Sequence, residues 1–141
     1  MAGYVLDTSA ILTVLREEDG AQQVVALLES SAEPRNAASH RILIPFLVLM
    51  EVEHTLLRHG PAARVDMALL LVEQWPATFV ESDVAWRHEA ARIKAANGLS
   101  VADAWIAALA KLREAILVHK DPEFDGVQGL DVLRLPYKPA G

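Results

Sequence analysis

Five short apolar runs recur along the chain, Tyr4–Leu6, Ile42–Ile44, Ala77–Val80, Ala115–Val118 and Val132–Leu135, and segments of helical periodicity separate them. Runs such as YVL and AILV show no polar alternation. Both of their faces must therefore be buried, as in the strands of a parallel sheet and unlike an antiparallel sheet with one wet face. Helical connections between such strands give right-handed βαβ units with helices on both sides of the sheet. The pattern predicts an α/β protein, a three-layer α/β/α domain. A length of 141 residues suffices for one core and not for two, so a single domain over residues 1–141 is expected.

Between the runs, Ile11–Leu15 reads as a short helix. After Gly20 a second helix, Ala21–Glu29, gathers Val24, Val25, Leu27 and Leu28 on one broad face. Ser30–His40 is the most loop-like stretch. Pro45 suits the first turn of a helix over Phe46–Arg58, where its missing N–H costs nothing. Gly60-Pro61 ends that helix, and another runs over Ala62–Gln74 before Pro76. Helices at Asp83–Ala96, stopped by Asn97-Gly98, and at Ser100–Arg113 complete the pattern.

A hydrophobic content of 52% and a mean hydropathy of +0.22 place the chain in the globular class. Its longest apolar stretch, Ile42–Met50, is broken by Pro45 and too short to span a bilayer, so no membrane association is expected. No basic segment followed by an apolar one opens the sequence, so no signal peptide is expected. Without cysteine there are no disulfides and no thiolate metal sites, and a reducing cytoplasm is the expected compartment. A net charge of −6 argues against binding nucleic acid through a broad basic surface. It leaves room for carboxylates that hold cations and draw phosphate through them.

Four acids map to the carboxyl edge of the predicted sheet, the edge at which open α/β sheets bind ligands. Asp7 ends the first strand, and Asp121 follows the fourth by three residues. Asp103 lies in the first turn of the helix that precedes the fourth strand. Glu51 lies in the second turn of the helix after the second strand, under about 10 Å from its start at about 1.5 Å per residue. Each has a purely structural reading as well. Asp7-Thr8-Ser9 is ordinary helix-start chemistry, Ser100–Asp103 resembles a capping box, and Asp121 before Pro122 suits a turn. Yet Asp103 shares its helical stripe with Ile106, Ala107 and Ala110, and an aspartate on a buried face is rare unless paired. Glu51 shares a stripe with Leu47 and Val48. Glu53, surrounded by Leu49, Met50, Leu56 and Leu57, competes with it, and periodicity does not separate the two.

Two like charges 4 Å apart repel by about 4 kcal/mol at an effective dielectric near 20. Four converging carboxylates would offset most of a typical stability of about 5–15 kcal/mol, so convergence demands protonation or a cation. All-oxygen ligation without Cys or His selects a hard ion, Mg²⁺ or Mn²⁺, and such an ion polarises a phosphoryl group and activates water.

YVLDTSAIL, PFLVLMEVEHTLLR, GLSVADAWIAALA and ILVHKDPEF, in this order and spacing, resemble the PIN-domain ribonucleases, and the size resembles the VapC-type toxins of toxin–antitoxin pairs. The resemblance covers about Gly3 to Leu135. It implies a central parallel sheet ordered 3-2-1-4-5, a Mg²⁺- or Mn²⁺-dependent endoribonuclease activity on RNA, and inhibition by a small antitoxin protein. Carried over by position, it implies that Asp7, Glu51, Asp103 and Asp121 are catalytic and hold the metal. Leu56 and Arg58 support Glu51 over Glu53, since they then fall where the family has a leucine and a basic residue. Thr8 or Ser9 supplies the hydroxyl that follows the first acid, and Glu123 is an outer contributor. One departure stands out. The family has Thr or Ser two residues before the fourth acid, where this chain has His119. That histidine either contacts an acid or phosphate or is a partly exposed loop residue, and a weakened site is the further alternative.

Two other readings compete. A phosphoaspartyl protein also places Asp at the end of its first strand. However, Ser9 stands where dehalogenase-like phosphatases need a second Asp, and Lys120 is a poor match to the lysine of receiver domains. A catalytically degenerate PIN-like domain that only binds a protein partner is compatible with His119 and with the sparse basic residues. Finally, the helices between Phe46 and Gln74 carry more Leu and Val than one face buries (Leu47, Val48, Leu49, Leu56, Leu57, Leu69, Leu70, Leu71, Val72), so a homodimer and an antitoxin groove are expected.

Overall fold

The first apolar run forms β1 (Gly3–Leu6), and its lack of a polar face is explained by its place at the middle of the sheet. In the computed structural model, which describes residues 3–32 and 41–137, β1 pairs in parallel with β2 (Arg41–Pro45) on one side and β4 (Ile116–His119) on the other. The outer strands, β3 (Thr78–Val80) and β5 (Val132–Arg134), also pair in parallel, giving the order β3-β2-β1-β4-β5. Val5, Leu6, Ile44, Leu117 and Val118 are wholly buried. The two edge strands are three residues long and partly exposed, a short format that limits edge-to-edge pairing.

Six helices flank the sheet: α1 (Thr8–Leu15), α2 (Ala21–Ser31), α3 (Phe46–Leu57), α4 (Ala62–Glu73), α5 (Val84–Ala96) and α6 (Val101–Leu112). The first packs on α2 and α3, α3 packs on α4, and α5 packs on α6. Helix α6 is the most deeply buried, because Ala104, Ala107, Ala108 and Ala110 let its backbone approach β1, β2 and β4 closely. A 3₁₀ segment, η1 (Pro122–Gly126), follows β4. Among the described residues, no helix is long and apolar enough to cross a membrane.

Several boundaries differ from the sequence expectation for local reasons. Helix α1 starts at Thr8 rather than Ile11, because the Asp7 side chain accepts the Ser9 N–H and caps the helix early. Pro45 lies outside its helix: it pairs with Val80 in the sheet and caps α3 at φ −62°, ψ 144°. A residue with no N–H fits that position, since the cap donates nothing to the helix. Ser30 and Ser31 continue α2, and the Ser31 hydroxyl donates to the carbonyls of Leu28 and Pro76. The rest of the expected loop, residues 33–40, lies outside the described residues. Strand β4 runs one residue further than expected, to His119, whose carbonyl accepts the Leu135 N–H at 2.8 Å.

Candidate active site

The order of the strands brings the carboxyl ends of β1 and β4 side by side. Asp7 stands directly after β1, and its N–H donates to the Val118 carbonyl at 3.1 Å, which locks it against β4. Its Oδ2 accepts both the backbone N–H and the hydroxyl of Ser9. The same hydroxyl accepts the Lys120 N–H at 2.9 Å, so Ser9 ties the start of α1 to the loop after β4. Asp7 is only 3% exposed. Burial pushes its carboxyl up from 3.8 to about 6, the Ser9 bonds oppose this, and the charges of Asp121 and Glu51 add to it.

Asp103 occupies the first turn of α6, with its N–H donated to the Ser100 hydroxyl at 3.1 Å. It too is buried. Desolvation holds its carboxyl far above the ordinary carboxylate range, a side-chain hydrogen bond with Glu123 supports the protonated form, and the charges of Asp7, Asp121 and Glu123 raise it further. Asp121 caps η1, its Oδ1 accepting the Glu123 N–H at 3.0 Å. One carboxylate oxygen each from Asp103, Asp121 and Glu123 lies within 4.8 Å of the others. The tightest group thus includes Glu123, expected as an outer contributor, and does not include Asp7 or Glu51.

Glu51 approaches from α3. The Thr8 hydroxyl donates to its Oε1 at 2.7 Å, and its charge acts on Asp7. This bond separates the two glutamates that periodicity left open: Glu51, and not Glu53, is the one seen to face the start of α1. Thr8 and Ser9 therefore do different work, one orienting Glu51 and the other Asp7. His119 fits neither of its expected descriptions. It is not a partly exposed loop residue but a wholly buried one that ends a strand, and its Nδ1 accepts a backbone N–H, that of Asp121, rather than contacting an acid side chain. Burial lowers its pKa. Lys120 turns away from the carboxylates. Its Nζ donates to the Asp19 carbonyl at 2.6 Å and lies 3.7 Å from Glu18, which removes the receiver-type lysine.

Like charges about 5 Å apart repel by about 3 kcal/mol at an effective dielectric near 20. No Lys or Arg among the described residues forms an ion pair with Asp7, Asp103, Asp121 or Glu123. The donors are all carboxylate oxygens, with no thiolate, and the Nδ1 of His119 is taken up by the Asp121 N–H, so the set fits a hard divalent cation.

A parallel α/β/α sheet thus carries a cluster of carboxylates at its carboxyl edge, a donor set of the kind that suits a divalent cation. The chain belongs to the PIN domain family, whose model matches residues 4–130. No curated protein matches it in sequence. Among solved structures it is similar to VapBC2 from Rickettsia felis bound to a DNA fragment from their promoter, with a TM-score of 0.77 and 15% identity over 95% of this chain and 99% of that one. It is also similar to DNA-bound VapBC from Salmonella typhimurium, with a TM-score of 0.71 and 19% identity over 95% and 98%. A third is VapC20 of Mycobacterium tuberculosis, described as a sarcin-ricin loop cleaving toxin, with a TM-score of 0.66 and 15% identity over 89% and 95%.

Proposed function

We propose that this chain, acting as one domain, is a Mg²⁺- or Mn²⁺-dependent endoribonuclease, the toxin of a toxin–antitoxin pair that works in the cytoplasm. The observation that carries the reading is the pair of buried acids: Asp7 and Asp103 sit beside other carboxylates, and among the described residues no Lys or Arg forms an ion pair with them. Such a placement destabilises the chain unless a ligand uses it. Solved neighbours described as VapBC and as a sarcin-ricin loop cleaving toxin support the same direction.

In this reading Asp103, Asp121 and Glu123 hold the ion, with Asp7 beside them and Glu51 across from Asp7. The bound ion supplies Lewis-acid polarisation of a phosphodiester and a more acidic water. The protein's own part is orientation. Ser9 fixes the Asp7 carboxylate, Thr8 fixes Glu51, and the Ser100 cap fixes the turn that carries Asp103. The proton held by the buried Asp103 carboxyl, hydrogen-bonded to Glu123, would leave as a cation enters.

The partners follow from the surface. Met50, Leu57, Met67, Leu70 and Leu71 on α3 and α4 are exposed. Exposed apolar helix surface of this kind suits a second copy of the chain and an apolar antitoxin segment.

The test is cleavage of total cellular RNA with Mg²⁺ or Mn²⁺. EDTA should abolish it. Asp7→Asn, Asp103→Asn, Asp121→Asn and Glu51→Gln should each lose most of the rate, and Glu53→Gln should keep it. Cleavage that survives EDTA, or that survives both Asp7→Asn and Asp103→Asn, refutes the mechanism. Silence on RNA with either metal would favour a domain that only binds partners.

A further inference from the structure

His119 stands where the resemblance leads one to expect a hydroxyl, and its surroundings show what takes that hydroxyl's place. The residue ends β4, and its ring is 0% exposed. Nδ1 accepts the Asp121 N–H at 3.0 Å. This is a side-chain-to-backbone bond from residue i to i+2, the closure that Ser, Thr, Asn or Asp makes in a short polar turn. Only the neutral ring with its proton on Nε2 accepts there. That Nε2 is buried with no hydrogen-bond partner among the described residues. The ring therefore carries a polar cost that a simple core-filling side chain would avoid.

The bond is the first of a series. His119 fixes the Asp121 backbone, and the Asp121 carboxylate in turn accepts the Glu123 N–H at 3.0 Å. Phe124 is buried with its ring centroid 5.0 Å from that of the imidazole, so the far end of the turn packs back on the same side chain. Glu123, held between these two anchors, meets Asp103.

We propose that His119 is a positioning residue. Through Nδ1 it sets where Asp121 and Glu123 stand relative to Asp103, and so sets the cation affinity of the cluster without touching ion or RNA. This inference rests on the metal-dependent reading above. Partners that orient ligands in this way are worth roughly tenfold to a hundredfold in metal affinity.

Two substitutions separate positioning from core filling. His119→Phe keeps the ring and its packing on Phe124 but has no acceptor. His119→Asn keeps an acceptor able to close the same turn but loses the ring. Three measurements apply: the ¹⁵N–¹⁵N scalar coupling across the hydrogen bond between Asp121 N and His119 Nδ1, exchange of the Asp121 amide, and Mn²⁺ titration by calorimetry. The wild-type protein should show the coupling. His119→Phe should melt in EDTA no lower than wild type, exchange the Asp121 amide faster, and bind Mn²⁺ roughly tenfold more weakly or worse. His119→Asn, although less stable, should bind Mn²⁺ within about threefold of wild type.

A core-filling role predicts the reverse order, with His119→Phe silent and His119→Asn impaired. That order, or an absent coupling in the wild-type protein, overturns the inference, and the coupling needs no variant to fold. If wild type binds Mn²⁺ and His119→Phe matches it, this inference alone fails. If wild type binds no Mn²⁺, the metal-dependent reading and this inference fail together.

Discussion

Asp7→Asn should make the metal-free protein more stable, by an amount that depends on pH. The native carboxyl titrates at about 6, against 3.8 for the ordinary group. Between those values the native state binds the proton that the unfolded state has already released, so stability falls as pH rises. The loss is near zero well below 3.8 and complete above 6. At about 1.4 kcal/mol per tenfold change in proton affinity, the gap is worth about 3 kcal/mol. Asn keeps an oxygen that accepts both Ser9 bonds, so the cap survives while the buried charge goes. For a chain of this size the gain corresponds to about 10 °C in melting temperature at pH 8, and to little at pH 4. Calorimetric melting of both proteins in EDTA at half-unit pH steps measures the difference directly. A wild-type-to-variant gap that does not widen between pH 4 and 8, or that changes sign, would refute the claim that Asp7 is a buried charge without compensation.

Mg²⁺ or Mn²⁺ should raise the melting temperature of the wild-type protein and do less for Asp103→Asn, since a ligand of the native state alone shifts the folding equilibrium; equal curves with and without metal would count against a shared site. Cation binding at pH 7 should release a proton from Asp103, visible as a buffer-dependent calorimetric heat, and a heat independent of buffer would contradict a protonated Asp103. Thr8→Val should leave the fold within about 1 kcal/mol of wild type while lowering cleavage, because it frees Glu51; an unchanged rate would remove Glu51 from the mechanism. Light scattering should show a dimer that Leu71→Glu disperses, as charge on an apolar interface is unfavourable; a monomer at tens of micromolar would defeat that expectation.

The parts of this molecule that were legible in advance are those in which residue chemistry conflicts with its surroundings. An aspartate on the stripe of Ile106 and Ala110 is such a conflict, and Asp103 is indeed buried. The parallel sheet was legible for a similar reason, because YVL and AILV have no face to show to water. The strand order came from the resemblance and not from the pattern, which does not say which strands are neighbours. Glu51 and Glu53 were indistinguishable because both flank apolar residues, and what separates them is a bond to Thr8 from 43 residues away. His119 looked like a loop residue because it is the polar end of an apolar run. Its burial depends on Phe124, in a five-residue 3₁₀ turn too short to leave a periodicity. The closeness of Glu123 to Asp103 is equally hidden in the sequence, since it is that turn which brings the two together.

The central position of β1 has a consequence for how the protein is made. Asp7 is synthesised early and Glu123 late, 116 residues apart (123 minus 7), yet they belong to one site. At about 5–20 residues per second a ribosome needs on the order of 10 s to add the residues between them. For most of that interval β1 lacks β4, the neighbour to which Asp7 is locked, and Asp7 cannot yet face Asp121. A nascent chain is thus spared the repulsion between Asp7 and Asp121 until β1 and β4 pair, and the candidate site stays incomplete until then.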